Sequence, residues 1–266
     1  MNKVVMISTA FAALAGGSAF AADMPLKAPA AVYSWTGCYI GGNAGADLAT
    51  AKFSSVPNAA FIAGAAFGAP EAASEQAKSA ATIHRTGPTF GGGIGCNYQT
   101  SIWVFGVETD INFTDIGKRV IRGPFPRVPD SLGFTWEDRF KSDFFGTVRG
   151  RVGVLATPTS LLYVTGGLAY KDVSFTEALD FPGFAGFRYE GSNSKTKTGW
   201  AAGGGWEFVL GGPWSAKIEY LHIDVGSLSA FAHQNSNPAG ANGWTHTVRL
   251  TEDVARFGIN YRLGGP

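Results

Sequence analysis

Along most of the chain apolar and polar residues alternate one by one, over stretches too regular for a helix. In Ile102–Thr114, Trp103, Phe105, Val107, Ile111 and Phe113 share one parity, while Glu108, Asp110 and Asn112 share the other. Successive side chains of a strand point to opposite faces, so a period of two gives one oily and one polar face. Thr135–Leu155 repeats the pattern. There Phe140, Phe144, Val148, Val152 and Val154 oppose Arg139, Lys141, Asp143, Thr147, Arg149 and Arg151. The alternation predicts eight strands: about Trp35–Ala46, Gly87–Tyr98, Ile102–Thr114, Thr135–Leu155, Leu161–Phe175, Ser194–Val209, Trp214–Leu228 and Val248–Leu263. Strand seven carries a parity puzzle, since Lys217 and Glu219 share a face with Leu221, Ile223 and Val225. A bulge near Leu221 is one way to resolve it.

The connections alternate too. Gln99–Ser101, Thr157–Ser160 and Leu210–Pro213 read as tight turns, whereas Asp47–Thr86, Asp115–Phe134, Thr176–Asn193 and Ser229–Thr247 are long, polar and rich in Gly and Pro. Four long loops against three short turns, around an even number of strands, is the asymmetry of an outer-membrane barrel. The expectation is an all-β, eight-stranded antiparallel up-and-down transmembrane β-barrel with four long outer loops and three short periplasmic turns. A soluble eight-stranded periplasmic carrier is the rival fold. Trp35, Tyr98, Trp103, Tyr163, Trp206, Phe208, Trp214 and Tyr261 fall near the short-turn ends, where an interfacial aromatic girdle belongs.

The start of the chain reads as an export signal. Asn2-Lys3 is basic, Val4–Phe20 is apolar and small, and Ala19-Phe20-Ala21 offers an A-x-A cleavage site. The segments are a signal peptide (1–21), a periplasmic tether (22–34) and the barrel (35–266), with an uncleaved anchor as the alternative at the N-terminus. Loss of Lys3 leaves twenty basic and twenty acidic residues. That balance argues against a nucleic-acid partner, which needs excess positive charge. Charged residues make up 15% of the chain, below the roughly 25% of soluble domains, as suits a surface partly solvated by lipid.

Several motifs resemble the small alphaproteobacterial outer-membrane barrels, a family that includes surface antigens and proteins described as hemin-binding. These are Ala22-Asp23-Met24-Pro25, Trp35-Thr36-Gly37-x-Tyr39-Ile40-Gly41-Gly42-Asn43-x-Gly45, Phe145–Gly153, Leu162–Tyr170 and Lys217-x-Glu219-Tyr220-Leu221. Arg256–Leu263 is similar to the closing strand read by the outer-membrane assembly machinery, but has Leu263 where Phe is usual and adds Gly264-Gly265-Pro266. The resemblance implies a cell-envelope protein of a Gram-negative outer membrane, porin-like in fold. Its expected partners are outer-membrane lipid, lipopolysaccharide and the assembly machinery. Nothing in the pattern specifies an oligomer.

The polar parity places Glu108, Asp110, Arg149, Arg151, Lys171, Glu207, Lys217, Glu219 and Arg256 in the lumen. An eight-stranded barrel is only wide enough for side chains to fill it. Mixed signs then imply a paired plug rather than an ion pathway, because a lone buried charge costs several kcal/mol. Cys38 and Cys96 share the outward parity of neighbouring strands, so they form either a disulfide or two free thiols. No Cys/His cluster supports a metal site. Gly91-Gly92-Gly93-x-Gly95 lacks the Lys-Ser/Thr of a phosphate loop. His84, His233 and His246 lie in or beside long loops and are the candidates for heme ligation, although the bland surface reading fits them as well. His222-x-Asp224 has no serine partner. The expected function is therefore a non-enzymatic structural barrel displaying surface loops, with little or no pore and no cofactor. The alternative is a binding or transport protein for heme or another small solute.

Overall fold

The computed structural model describes residues 33–64, 68–126, 133–184, 187–237 and 240–264. The expected signal peptide and all of the tether except Tyr33 and Ser34 lie outside the described residues. Eight antiparallel strands close into a ring in chain order: β1 (Gly37–Pro57), β2 (Ala81–Thr100), β3 (Trp103–Phe125), β4 (Phe134–Thr157), β5 (Ser160–Asp180), β6 (Arg188–Gly211), β7 (Trp214–Gln234) and β8 (Gly243–Leu263). β1 pairs with β8 from Cys38↔Leu263 to Pro57↔Trp244, so no edge is left open. Closure matters because unpaired backbone groups are too costly in hydrocarbon. Two helices, α1 (Ala59–Gly64) and α2 (Ala69–Ser79), interrupt the connection from β1 to β2.

The assignment of faces follows the alternation. Phe105 and Val148 are 45% and 54% exposed on the outer wall, while Glu108 and Arg149 are 5% and 1% exposed inside. On β3 the outward apolar run from Trp103 to Phe113 covers ten steps, about 34 Å of strand and roughly 26 Å of height at a tilt near 40°. That matches the band of about 25 Å that lipid requires. The three tight turns are where the sequence placed them. Gly211 and Gly212 both have positive φ in the third, which glycine tolerates without strain.

The strands run well past the expected boundaries. The connections opposite the tight turns shrink to 58–80, 126–133, 181–187 and 235–242. Much of what read as long polar loop is strand that rises above the lipid. The pattern misleads because its sense inverts at the boundary. On β1, Ile40 and Leu48 face outward, but beyond them Ala49, Ala51 and Phe53 are buried inside while Lys52 and Ser54 are exposed. Where oil surrounds the wall, apolar groups face out and ions can fill the centre. Where water surrounds it, burial drives the apolar groups inward.

The same inversion settles strand seven. Leu221, Ile223 and Val225 continue inward above Glu219 with no shift at Leu221. The irregularity lies between Asp224 and Ser227, at Gly226 (φ 73°), whose N–H donates to Asp224 Oδ1 at 2.8 Å. On β4 a bulge changes parity at Asp143-Phe144. Phe140 is buried inside, and Arg139, Lys141 and Asp143 point out, against the single parity read from the sequence. Asp172 accepts from both N–H groups at the bulge, Asp143 at 3.0 Å and Phe144 at 2.8 Å. The girdle also needs correction: Trp35 and Tyr163 have inward parity and are buried.

Candidate functional site

The interior is filled in layers, each supplied by inward side chains of successive strands. At the short-turn end, Trp35 packs on Val104, Leu161 and Tyr163, and its Nε1 donates to Pro158 O at 3.2 Å. The chain just before β1 thus closes that mouth. Arg262 stacks over the Tyr33 ring, 4.6 Å from its centroid, and donates to Ser34 O.

Above this sits the ionic layer, where four cations meet four anions. Arg149 Nη2 donates to Glu108 and to Asp110, each at 2.8 Å, and its Nη1 reaches Glu219 at 3.2 Å. Arg256 donates from Nε to Glu219 and from Nη2 to Asp110, both at 2.8 Å. Arg151 pairs with Glu207 and Lys217 with Glu108, again at 2.8 Å. Tyr39 and Tyr163 donate to Glu108 and Glu219 at 2.5 and 2.9 Å. Ser215 and Asn260 donate to Glu207 at 2.6 and 2.9 Å. Each ion therefore keeps opposite charge and further donors about it, the condition under which buried charge is tolerated. The gap lined by Tyr39, Asn43, Glu108, Asp110, Lys217 and Asn260 is water-sized. The ninth expected residue, Lys171, lies one layer higher, 2.5 Å from Glu252 and over the Phe145 ring.

Two of these tyrosines depend on glycine. A Cβ on Gly95 would lie 2.4 Å from Tyr39 Oη, and one on Gly205 would lie 2.6 Å from Tyr163 Oη. The rings lie flat against bare backbone on the neighbouring strand, and that lets their hydroxyls reach the carboxylates. Gly95, the last glycine of the run that superficially suggested a phosphate loop, does this packing instead.

Higher still, Phe53, Ile83, Ile116, Phe140, Phe145, Phe175, Leu221, Ile223, Val248 and Leu250 form an apolar core. An aromatic cluster of Phe61, Phe134, Trp136, Phe181, Tyr189 and Trp244 closes the outer mouth. Helix α2 lies against it. Trp136 Nε1 donates to Glu75 O at 3.3 Å, and Arg122 donates to Lys78 O and Ser79 O at 2.6 and 2.9 Å. Ser79 Oγ accepts from Ser55 N at 3.1 Å. Beneath it the Ser55 hydroxyl lies 2.6 Å from Glu177 Oε1 and 2.8 Å from His246 Nδ1. Burial pushes Glu177 up to about 8 and His246 down to about 4. Sequence reasoning missed this cluster, because Ser55, Glu177 and His246 are 122 and 191 residues apart in the pairs that join them.

The three candidate histidines are not brought together. His246, expected beside a loop, is an inward residue of β8 and fully buried. His84 stands on the outer face of β2, 3.1 Å from Thr50 Oγ1, and His233 on the outer face of β7. His84 pairs with Thr50 and His246 with Ser55 of the same β1 strand, five residues apart and on opposite faces. His222 bonds Asp253 rather than Asp224, at 2.8 Å. Among the described residues no three His, Cys, Asp or Glu side chains gather as a metal site. Cys38 and Cys96 face each other across β1 and β2 and are joined by a disulfide on the outer wall.

Comparison with known proteins places this architecture. A family model described as an outer membrane protein beta-barrel domain matches residues 9–262. The 31 kDa outer-membrane immunogenic protein of Brucella melitensis is 32% identical over 273 residues, covering 99% of this chain and 100% of the relative. The 25 kDa outer-membrane immunogenic protein of Brucella abortus is 28% identical over 274 residues, covering 99% of each. Among solved structures, the outer membrane protein OprG of Pseudomonas aeruginosa aligns over 86% of this chain and 97% of its own at 12% identity, with a TM-score of 0.42.

Proposed function

The chain belongs to the outer-membrane β-barrel protein family and resides in the outer membrane, and from that premise we propose that it is a non-conducting, non-enzymatic scaffold that displays its loops at the cell surface. The observation that carries this reading is the charge-balanced layer across the lumen, in which Arg149, Arg151, Lys217 and Arg256 are satisfied by Glu108, Asp110, Glu207 and Glu219. An ion entering it would have to break pairs whose loss costs about 3–5 kcal/mol each. Apolar and aromatic layers above, and Trp35 below, reinforce the block. The immunogenic character in the names of the Brucella relatives fits exposure of the outer connections.

The test is conductance in planar bilayers. Folded protein gives no discrete channels, and large, reproducible steps would reject the scaffold reading. Heme titration separates it from a heme receptor. The Soret band of added heme is expected to be the same for wild type and for His84→Ala, His233→Ala and the double variant. Binding that falls when these residues are removed would favour the receptor.

A further inference from the structure

A polar cluster stands on the outside of the wall, where β6, β7 and β8 leave the apolar band. Below it on those strands the outward residues are apolar or aromatic: Trp206 and Ala202, Ile218, Ile259, Phe257 and Ala255. At the edge, Asp253 Oδ1 accepts from Tyr220 Oη at 2.5 Å and lies 2.8 Å from His222 Nδ1. The His222 ring packs on Trp200, with centroids 5.3 Å apart. One step higher, Arg249 Nη2 donates to Asp224 Oδ2 at 2.6 Å. Trp200 and Tyr220 are 49% and 50% exposed, and the Arg249 side chain is 56% exposed. The cluster is therefore held by its own bonds while its rings and spare polar atoms face away from the barrel.

Such a group cannot sit in hydrocarbon, where unsatisfied polar atoms cost several kcal/mol. Its place directly above the apolar band puts it at headgroup depth, and aromatic residues with a polar tip belong there. Its composition selects among headgroups. An exposed indole face offers a stacking surface for the C–H face of a sugar ring. A carboxylate oriented by tyrosine and histidine accepts hydroxyl protons, and an arginine with spare N–H groups donates to hydroxyl or phosphate oxygens. Phosphatidylglycerol and phosphatidylethanolamine have no ring for Trp200 to cover.

We infer that Trp200, Tyr220, His222, Asp253 and Arg249 form a docking site for the sugar headgroup of an outer-leaflet glycolipid. The site rests on the outer-membrane placement of the barrel and is independent of whether the lumen conducts. Lateral contact with one glycolipid would pin the β6–β8 side of the wall at fixed depth.

The experiment uses the folded full-length protein in mild detergent, checked by heat-modifiable migration and titrated by native mass spectrometry. The probes are lipid A, its dephosphorylated form and phosphatidylglycerol. Wild type is expected to hold lipid A about tenfold more tightly than phosphatidylglycerol and to retain the dephosphorylated glycolipid, since ring stacking and hydroxyl contacts persist without phosphate. Trp200→Leu combined with Asp253→Ala is expected to lose the preference. Arg139→Ala with Lys141→Ala, on β4 and outside the β6–β8 face, is expected to keep it. Equal binding of phosphatidylglycerol, loss of all affinity on dephosphorylation, or unchanged lipid A binding by the double variant would each overturn the proposal. Should the double variant fail to fold, Trp200→Leu alone decides the matter by the same criterion.

Discussion

Glu219 shows how much of this fold rests on single side chains. It accepts from Arg149, Arg256 and Tyr163 at once, in a fully buried layer. Replacing it by Ala leaves two guanidinium groups short of an anion. The expected loss is about 3–5 kcal/mol, read as a lower urea midpoint for the Glu219→Ala barrel in lipid vesicles. An unchanged midpoint would mean that the layer is filled but not cohesive. At this scale the sequence was highly legible: all nine ionic residues were placed in the lumen by parity alone, and all nine are buried. His246 was misread because its neighbours, Thr245 and Thr247, are outward and polar, so one inward imidazole among them looks like loop. Trp35 and Tyr163 were misread for the opposite reason, since an aromatic near a strand end suggests a girdle whichever face it occupies.

At the scale of elements, the strands were legible only while their amphipathy kept one sense. A bulge on β4 and the Gly226 irregularity on β7 each shift the phase, and only Gly226 leaves a residue in the sequence that hints at it. Helix α2 was not foreseen, because eleven residues, eight of them Ala, Glu or Ser, inside a long connection carry little periodic signal. Its docking has a pH signature. Glu177, raised to about 8, keeps a proton when docked that it loses in the open state near 4.5, so its contribution is lost as pH rises toward 8. His246, lowered to about 4, favours the docked state above 6.5, and its contribution is lost as pH falls toward 4. The two effects oppose each other between about 4.5 and 6.5 and leave a plateau there. Between about 6.5 and 8, and between about 4.5 and 4, docking weakens by about 1.4 kcal/mol per pH unit. Facing groups are the Arg122–Asp138 pair, Glu71 and Glu75 of α2, and Tyr189; Asp138 is also raised by burial, so its contribution too is lost as pH rises. Protection factors across residues 69–79, corrected for intrinsic exchange, are expected to be highest near pH 5.5 and lower at pH 8, with Glu177→Gln flattening the alkaline limb. A rate that follows only intrinsic exchange chemistry would dismiss the coupling.

For the whole molecule, two media meet one wall. The belt is an inside-out protein, oily without and ionic within, and the part above it is an ordinary one, with a greasy centre and a hydrated surface. Strand number, order and the side of the tight turns followed from the sequence because they need only local alternation and turn chemistry. The height of the barrel did not, because polar outward residues above the lipid resemble loop unless the inward ones are credited as core. Amides of β4 between Thr135 and Lys141 are accordingly expected to resist deuterium exchange nearly as well as those of Val148–Val154. Exchange as fast as in a free loop would place the end of the wall at the membrane surface. Nearly all of Thr135–Lys141 is ladder-paired on both sides, to β3 and to β5.

The inverted upper storey bears on how such a surface can drift. Inward residues such as Phe53 and Phe140 interlock, while their immediate neighbours Lys52 and Arg139 stand in open water. Variation between strains should then appear as a dotted line along each rising strand, one position free and the next held. Antibodies against this region would meet a mosaic of changing studs fixed to an unchanging frame.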